Sequence, residues 1–207
     1  MFDRDSNVGD HHDDGDNIIV ETASIDQMPH SVYLFLEQVA HGLYDGTAFY
    51  RNAVHMVQAG PVTSENQAHF RHEPSLNNVL FQEYNPEFPH QTYTLGYPGR
   101  PGGPDFYINV LDNSYIHGPG GQTTRNSDAI TDADPCFAKV VKGFEAVDRL
   151  HRSSTEDTSV LHDAIEHPVL IKQMRIRHDA KRIREGSRSV DEHLDAKKQK
   201  SKNNLEP

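Results

Sequence analysis

Gly42-Leu43-Tyr44-Asp45-Gly46-Thr47-Ala48-Phe49-Tyr50-Arg51, continued by His55-Met56-Val57-Gln58-Ala59-Gly60, carries more architectural information than any other part of this 207-residue chain. Asp45-Gly46 marks a tight turn. Thr47 to Arg51 and Val54 to Ala59 are each short enough for a strand, so the stretch reads turn, strand, arginine, strand, with a polar Gln58 and Gly60 at the far end.

Upstream, Asn17 to Thr22 is a β-branched run that reads as a strand. A helix is expected from Pro29 to His41: proline suits a first turn, where its missing N–H has no partner in any case. Val32, Phe35, Leu36 and Val39 follow the spacing of one buried face, and Gly42 ends the helix. Downstream, 60–89 is polar and irregular, with room for one short helix. Tyr93 to Gly96 and Phe106 to Val110 are strand candidates on either side of a Gly/Pro loop, and His117 to Ala133 reads as a loop. Cys136 to Val141 is a strand, Gly143 to His151 a helix with Phe144, Val147 and Leu150 on one face, and Pro168 to Ile176 a closing strand. Short strands, two separated helices and no alternation of strand with helix predict a mainly antiparallel β fold.

Composition bounds the rest. The chain is 35% hydrophobic and 25% charged, enough for one ordinary domain with tails. The expected division is an acidic, disordered 1–16, a domain over 17–176, and a charged tail over 177–207. The first segment holds six Asp and one Arg, too little apolar surface to offset ordering entropy. His11-His12-Asp13-Asp14 within it is read as a polar tail and no metal site is assigned; no cofactor is expected. Net charge is −11, yet 177–207 carries nine Lys/Arg against six Asp/Glu, so the remainder stands at −14. That balance argues against nonspecific nucleic-acid binding by the domain. The tail is read as a solvated one that could touch an acidic partner or RNA.

No run approaches eighteen apolar residues, and the first residues lack the basic and apolar regions of a signal peptide. Cys136 is the sole cysteine, which excludes an internal disulfide and fits a reducing compartment, cytoplasmic or nuclear. A monomer is expected.

The opening stretch resembles the cyclophilin family of peptidyl-prolyl isomerases, whose pattern is YYDGTxFHR followed by FMxQGG. Gly102-Gly103-Pro104-Asp105-Phe106-Tyr107-Ile108 resembles that family's NGSQFFI. Phe81 to Phe88 is similar to its FxDExF region, and Cys136 to Val147 to its VFGKVxEGMxVV. The four matches occur in the family's order over roughly 17–176. The resemblance implies an eight-stranded antiparallel β-barrel capped by two helices, and action on X–Pro bonds of peptides or proteins.

Carried over residue by residue, Arg51 matches the family's catalytic arginine. Met56 and Gln58 match its pocket methionine and glutamine. His55 and Tyr107 stand where the family has pocket phenylalanines, and Asp105 replaces the glutamine before the aromatic pair. Gly96 stands where the family has a backbone-binding asparagine, Asp134-Pro135 where it has a pocket histidine, and the chain has no tryptophan. The Arg-to-Gln spacing is one residue shorter, so a gap falls between Asn52 and His55.

Rotation about X–Pro faces a barrier of roughly 18–20 kcal/mol because amide resonance must be broken. No nucleophile or base is needed. The site must hold the proline ring on apolar surface and aim a donor at the imide nitrogen as it pyramidalises, a task suited to a permanently charged, planar guanidinium. Arg51 is the candidate donor, with Met56 and Tyr107 as the apolar wall. Without the resemblance, Arg51 reads as a strand-edge residue paired with a carboxylate such as Asp105, and Tyr107 as core. The expected function is therefore a peptidyl-prolyl isomerase of weak activity, the alternative a noncatalytic proline-peptide binding or scaffold module.

Overall fold

Alternation within the strands builds one antiparallel sheet with two unlike faces. The computed structural model describes residues 17–78, 83–99, 103–121, 133–152, 164–177, 193–195 and 197–199, with backbone alone at 164–166. In chain order the elements are β1 (Ile19–Thr22), α1 (Pro29–Ala40), β2 (Ala48–Ala53), β3 (Met56–Gly60), α2 (Ser64–His72), β4 (Thr94–Gly96), β5 (Phe106–Asn109), β6 (Cys136–Lys142), α3 (Phe144–Arg152) and β7 (Ala164–Leu170). The sheet runs β1-β6-β4-β5-β3-β2-β7. Every described pairing is antiparallel. Seven strands are formed among the described residues, against the eight the resemblance implies.

One sheet face is apolar. Phe49, Val57, Ala59, Leu95, Phe106, Ile108 and Phe137 join the helix residues Val32, Phe35, Val39, Phe144, Val147 and Leu150 in the main core. Phe35 sits 4.9 Å from Phe137 and 6.0 Å from Phe106, ring to ring. The buried Gln38 of α1 is satisfied within this core: its amide donates to Leu76 O at 2.7 Å, and its Oε1 accepts from Tyr97 at 2.9 Å. Both predicted helices form within a residue or two of the expected bounds. The short helix expected in 60–89 is α2, capped by Thr63, whose Oγ1 accepts from Asn66 N at 3.1 Å.

The strands differ most from the sequence reading at one hairpin and at the closing strand. Val54 and His55, expected to begin a strand, form the turn between β2 and β3, because Ala53 pairs directly with Met56 and leaves two residues for the hairpin. The closing strand runs Ala164–Leu170 rather than Pro168–Ile176. Ala48 pairs with Leu170, and Ile171 still exchanges bonds with Thr47 and Gly46. Beyond that the partner chain bends away through the Asp45-Gly46 turn, so 172–176 have no strand to join among the described residues.

The expectations for 1–16 and for most of 177–207 lie outside the described residues. The tail segment at 193–199, given no packing by the sequence reading, rests on α3. His193 stacks on Phe144 at 4.8 Å, Leu194 packs against the core, and Lys197 Nζ lies 2.7 Å from Asp148. Burial is the first influence on Asp148 and opposes its ionisation. The Lys197 and Tyr93 hydrogen bonds outweigh it and hold the carboxyl below its ordinary value.

Candidate active site

A single row of paired residues crosses four strands on the face away from the core. Arg51 pairs with Gln58, Gln58 with Tyr107, and Tyr107 with Gly96. The pairing of β2 with β3 slips at this row: Phe49 opposes Ala59, yet Arg51 opposes Gln58. Tyr50 is thus the extra residue of a bulge. In a regular strand Tyr50 and Arg51 would point to opposite faces. The bulge lets both reach Gln58.

The network that results is continuous. Arg51 Nη1 donates to Gln58 Oε1 at 3.1 Å. The Gln58 amide nitrogen donates to Tyr50 Oη at 2.7 Å and to Asp105 Oδ2 at 2.8 Å. Tyr50 Oη donates to the same carboxylate oxygen at 2.5 Å. Asp105 sets the amide's direction, because only a donor can face a carboxylate. The amide oxygen is then left to face Arg51. Burial first, and the Asp105 carboxylate next, raise the Tyr50 phenol well above its ordinary value, so it remains a donor. Gly60 permits the arrangement: a Cβ there would lie 1.9 Å from Asp105 Oδ1. Arg51 itself is half-buried. Tyr50, Pro61, Val62, Gln67, Pro104 and Asp105 line an open hollow of about 500 Å³ beside the network.

The other half of the row is sealed. Tyr107 is fully buried and Met56 is 3% exposed; with Ala53 they form a small cluster of their own. Tyr107 lies against His117, ring centroids 4.8 Å apart, and is stacked with His90 at 6.1 Å. His55 packs on His117 at 5.4 Å. His117 Nδ1 is held 2.6 Å from Asp134 Oδ2, and the Tyr107 hydroxyl reaches the same oxygen at 3.5 Å. Main-chain bonds join the segments that bring these rings together: Asn113 N to His90 O at 2.8 Å, and Asp134 N to His117 O at 2.9 Å. Burial, and secondarily the charge of His117, push the His90 imidazole down to about 3, so it is neutral at physiological pH.

Gly96 makes room for this packing. A Cβ there would lie 2.5 Å from the Tyr107 hydroxyl and 2.8 Å from Pro135 O. Tyr107 and Gly96 are therefore complementary replacements, the extra phenol oxygen of one occupying space the other leaves. The Cys136 thiol next to Pro135 is buried and pushed up to about 12, which makes it an inert core group.

The structure thus brings Arg51, Gln58 and Asp105 into one hydrogen-bonded chain. It places Met56 and Tyr107 beneath the surface, and sets His55 half-buried at the hairpin turn. Sequence reading missed Tyr50, whose role depends on the bulge. It also missed His90 and His117, the latter read as a loop residue. Their neighbours in the chain carry no periodic pattern that could have marked them as buried. No group among the described residues is arranged to hold a metal ion. No described helix is long and apolar enough to cross a membrane.

A family model described as cyclophilin-type peptidyl-prolyl cis-trans isomerase/CLD matches residues 11–176. Peptidyl-prolyl cis-trans isomerase A of Dickeya dadantii (strain 3937) is 28% identical over 161 residues, covering 76% of this chain and 78% of that protein. Two crystal structures of a cyclophilin-type isomerase of Cryptosporidium parvum share the fold. One, obtained in the presence of the dipeptide Ala-Pro, has a TM-score of 0.55 and 19% identity, covering 78% of this chain and 93% of that one. The other has a TM-score of 0.56 and 17% identity, covering 78% and 91%.

Proposed function

Because this chain belongs to the cyclophilin-type peptidyl-prolyl cis-trans isomerase family, we propose that it accelerates X–Pro rotation in peptides or proteins through Arg51, with weak turnover. The observation that carries this is the Arg51–Gln58–Asp105 chain, which fixes the guanidinium at a half-buried position on the groove face. A donor held by its neighbours loses little entropy when it meets the imide nitrogen, and its charge favours the pyramidal nitrogen over the planar one.

Weak turnover is supported by the burial of Met56 and Tyr107, which withdraws the expected apolar wall from the surface. The same observation favours a second reading, a noncatalytic module that holds Pro-containing segments without turning them over. Exchange spectroscopy on X–Pro peptides separates the two. Faster cis-trans exchange with the wild-type protein, lost in Arg51→Ala, supports the isomerase. Peptide binding with no change in exchange rate overturns it in favour of the module.

A further inference from the structure

The hollow beside the network has a chemistry that the isomerase reading leaves unused. Pro61, Val62, Pro104 and Tyr50 give it apolar surface, and Gln67 and Asp105 give it polar surface. One wall is the Asp105 carboxylate. Both hydrogen bonds to that carboxylate, from Tyr50 and from Gln58, go to Oδ2. Oδ1 lies over Gly60 and accepts none, and no Lys, Arg or His pairs with it among the described residues. A carboxylate without a cation, beside the apolar surface of Pro61, Val62 and Pro104, is matched by a side chain with a hydrocarbon stem and a positive head.

We propose that this hollow is a specificity subsite for a Lys or Arg side chain of the substrate, with Asp105 as its counter-charge. The proposal rests on the isomerase or peptide-binding reading above and names the sequence context it would favour. Two hydrogen bonds and one amide group separate the Arg51 guanidinium from the Asp105 carboxylate. About two residues of extended peptide, at about 3.4 Å each, span that distance. The favoured cation therefore lies two residues from the proline. Its stem packs on Pro61, Val62 and Pro104 while its head reaches Oδ1. An acidic side chain at the same position meets like charge and is rejected. Asp105 acts here on substrate choice; Arg51 carries the rotation.

The test uses the full chain and three sets of X–Pro peptides, alike except for Lys, Gln or Glu two residues before or after the proline. Exchange rate and binding are both read, at low and at high salt. The expected result is at least a fivefold preference for Lys over Gln at one position, a further loss with Glu, and narrowing of the preference as salt screens the charge. Asp105→Asn, which keeps the side chain's shape, is expected to bring the Lys/Gln ratio to about one. Equal handling of the three peptides by the wild-type protein overturns the subsite while leaving the isomerase reading intact. Preferential binding of Lys peptides without exchange supports the subsite and overturns the isomerase. Neither binding nor exchange with any peptide overturns both. A Lys preference that survives in a folded Asp105→Asn protein places the counter-charge elsewhere and overturns the assignment to Asp105.

Discussion

The two polar regions of the groove face solve one problem in opposite ways. Around Arg51, Gln58, Tyr50 and Asp105 the hydrogen bonds close on one another and the region stays open to solvent at the hollow. Around Tyr107, His90 and His117 the rings are sealed, and both His90 nitrogens and His117 Nε2 are buried without a hydrogen-bond partner. The first region is hydrogen-bonded throughout except at Asp105 Oδ1, and it is open at one side. The second buries polar atoms among packed rings, which is costly unless ring packing offsets it. A donor that must meet a substrate belongs in the first kind of region. A side chain that only fills space can sit in the second.

The largest expected effect breaks the open region. Arg51→Ala should lower kcat/KM for X–Pro peptides by roughly a hundredfold or more, about 3 kcal/mol of transition-state stabilisation, with the fold retained by circular dichroism. Unchanged turnover in a folded variant would show that the rotation is promoted elsewhere.

Next is the sealed region. In Gly96→Ala the new Cβ meets the Tyr107 ring and the Pro135 carbonyl, groups that packing and backbone hold in place. A loss of up to about 3 kcal/mol is expected in urea unfolding. A neutral result would mean that Tyr107 is free to swing out.

Acid distinguishes the regions without mutation. The folded pKa of His90 is depressed from its ordinary 6.5 to about 3. Below 6.5 the unfolded chain therefore binds a proton that the native state refuses. Its contribution to stability is present above pH 6.5 and is lost as pH falls toward 3. Tyr107 and His117 pack directly on it, and His117 in turn contacts His55 and Asp134. The loss attributable to His90 should reach about 2 kcal/mol by pH 5. Comparison of wild type with His90→Leu isolates that slope, and identical slopes would remove His90 as its source.

The smallest effect repeats the glycine substitution on the open side. Gly60→Ala also produces a close approach, but to the end of the Asp105 side chain, which can turn away. A cost of about 1 kcal/mol is expected. Peptide binding should fall more than stability does, because the displaced carboxylate releases Gln58. A stability loss equal to that of Gly96→Ala would erase the difference between the regions.

Much of the fold was legible in the chain, and the reason is periodicity. Val32, Phe35 and Val39 announce α1 by spacing alone, and each is buried. Phe144, Val147 and Leu150 do the same for α3. Boundaries were less legible where a partner's path sets them. Lys172 to Ile176 continues the strand-like composition, but β2 begins at Ala48 and the chain before it turns at Asp45-Gly46, so the ladder stops at Ile171. Of the candidate site, Arg51, Gln58 and Asp105 were found through their resemblance to family motifs, and their positions on β2, β3 and before β5 bring them together. Tyr50 was not found, since strand alternation assigns it to the wrong face.

By itself the sequence determined the order of elements, the family, and the residue types available at the groove: local spacing and motif order are properties of the chain. Only the tertiary structure decided what those residues can reach. A bulge of one residue turns Tyr50 toward Asp105. An absent side chain at Gly96 admits the Tyr107 hydroxyl. Main-chain bonds among distant loops assemble His90, His117 and Asp134 into one sealed cluster. Each of these is a contact between residues far apart in the chain. Such contacts are fixed by register and packing, which no local pattern encodes.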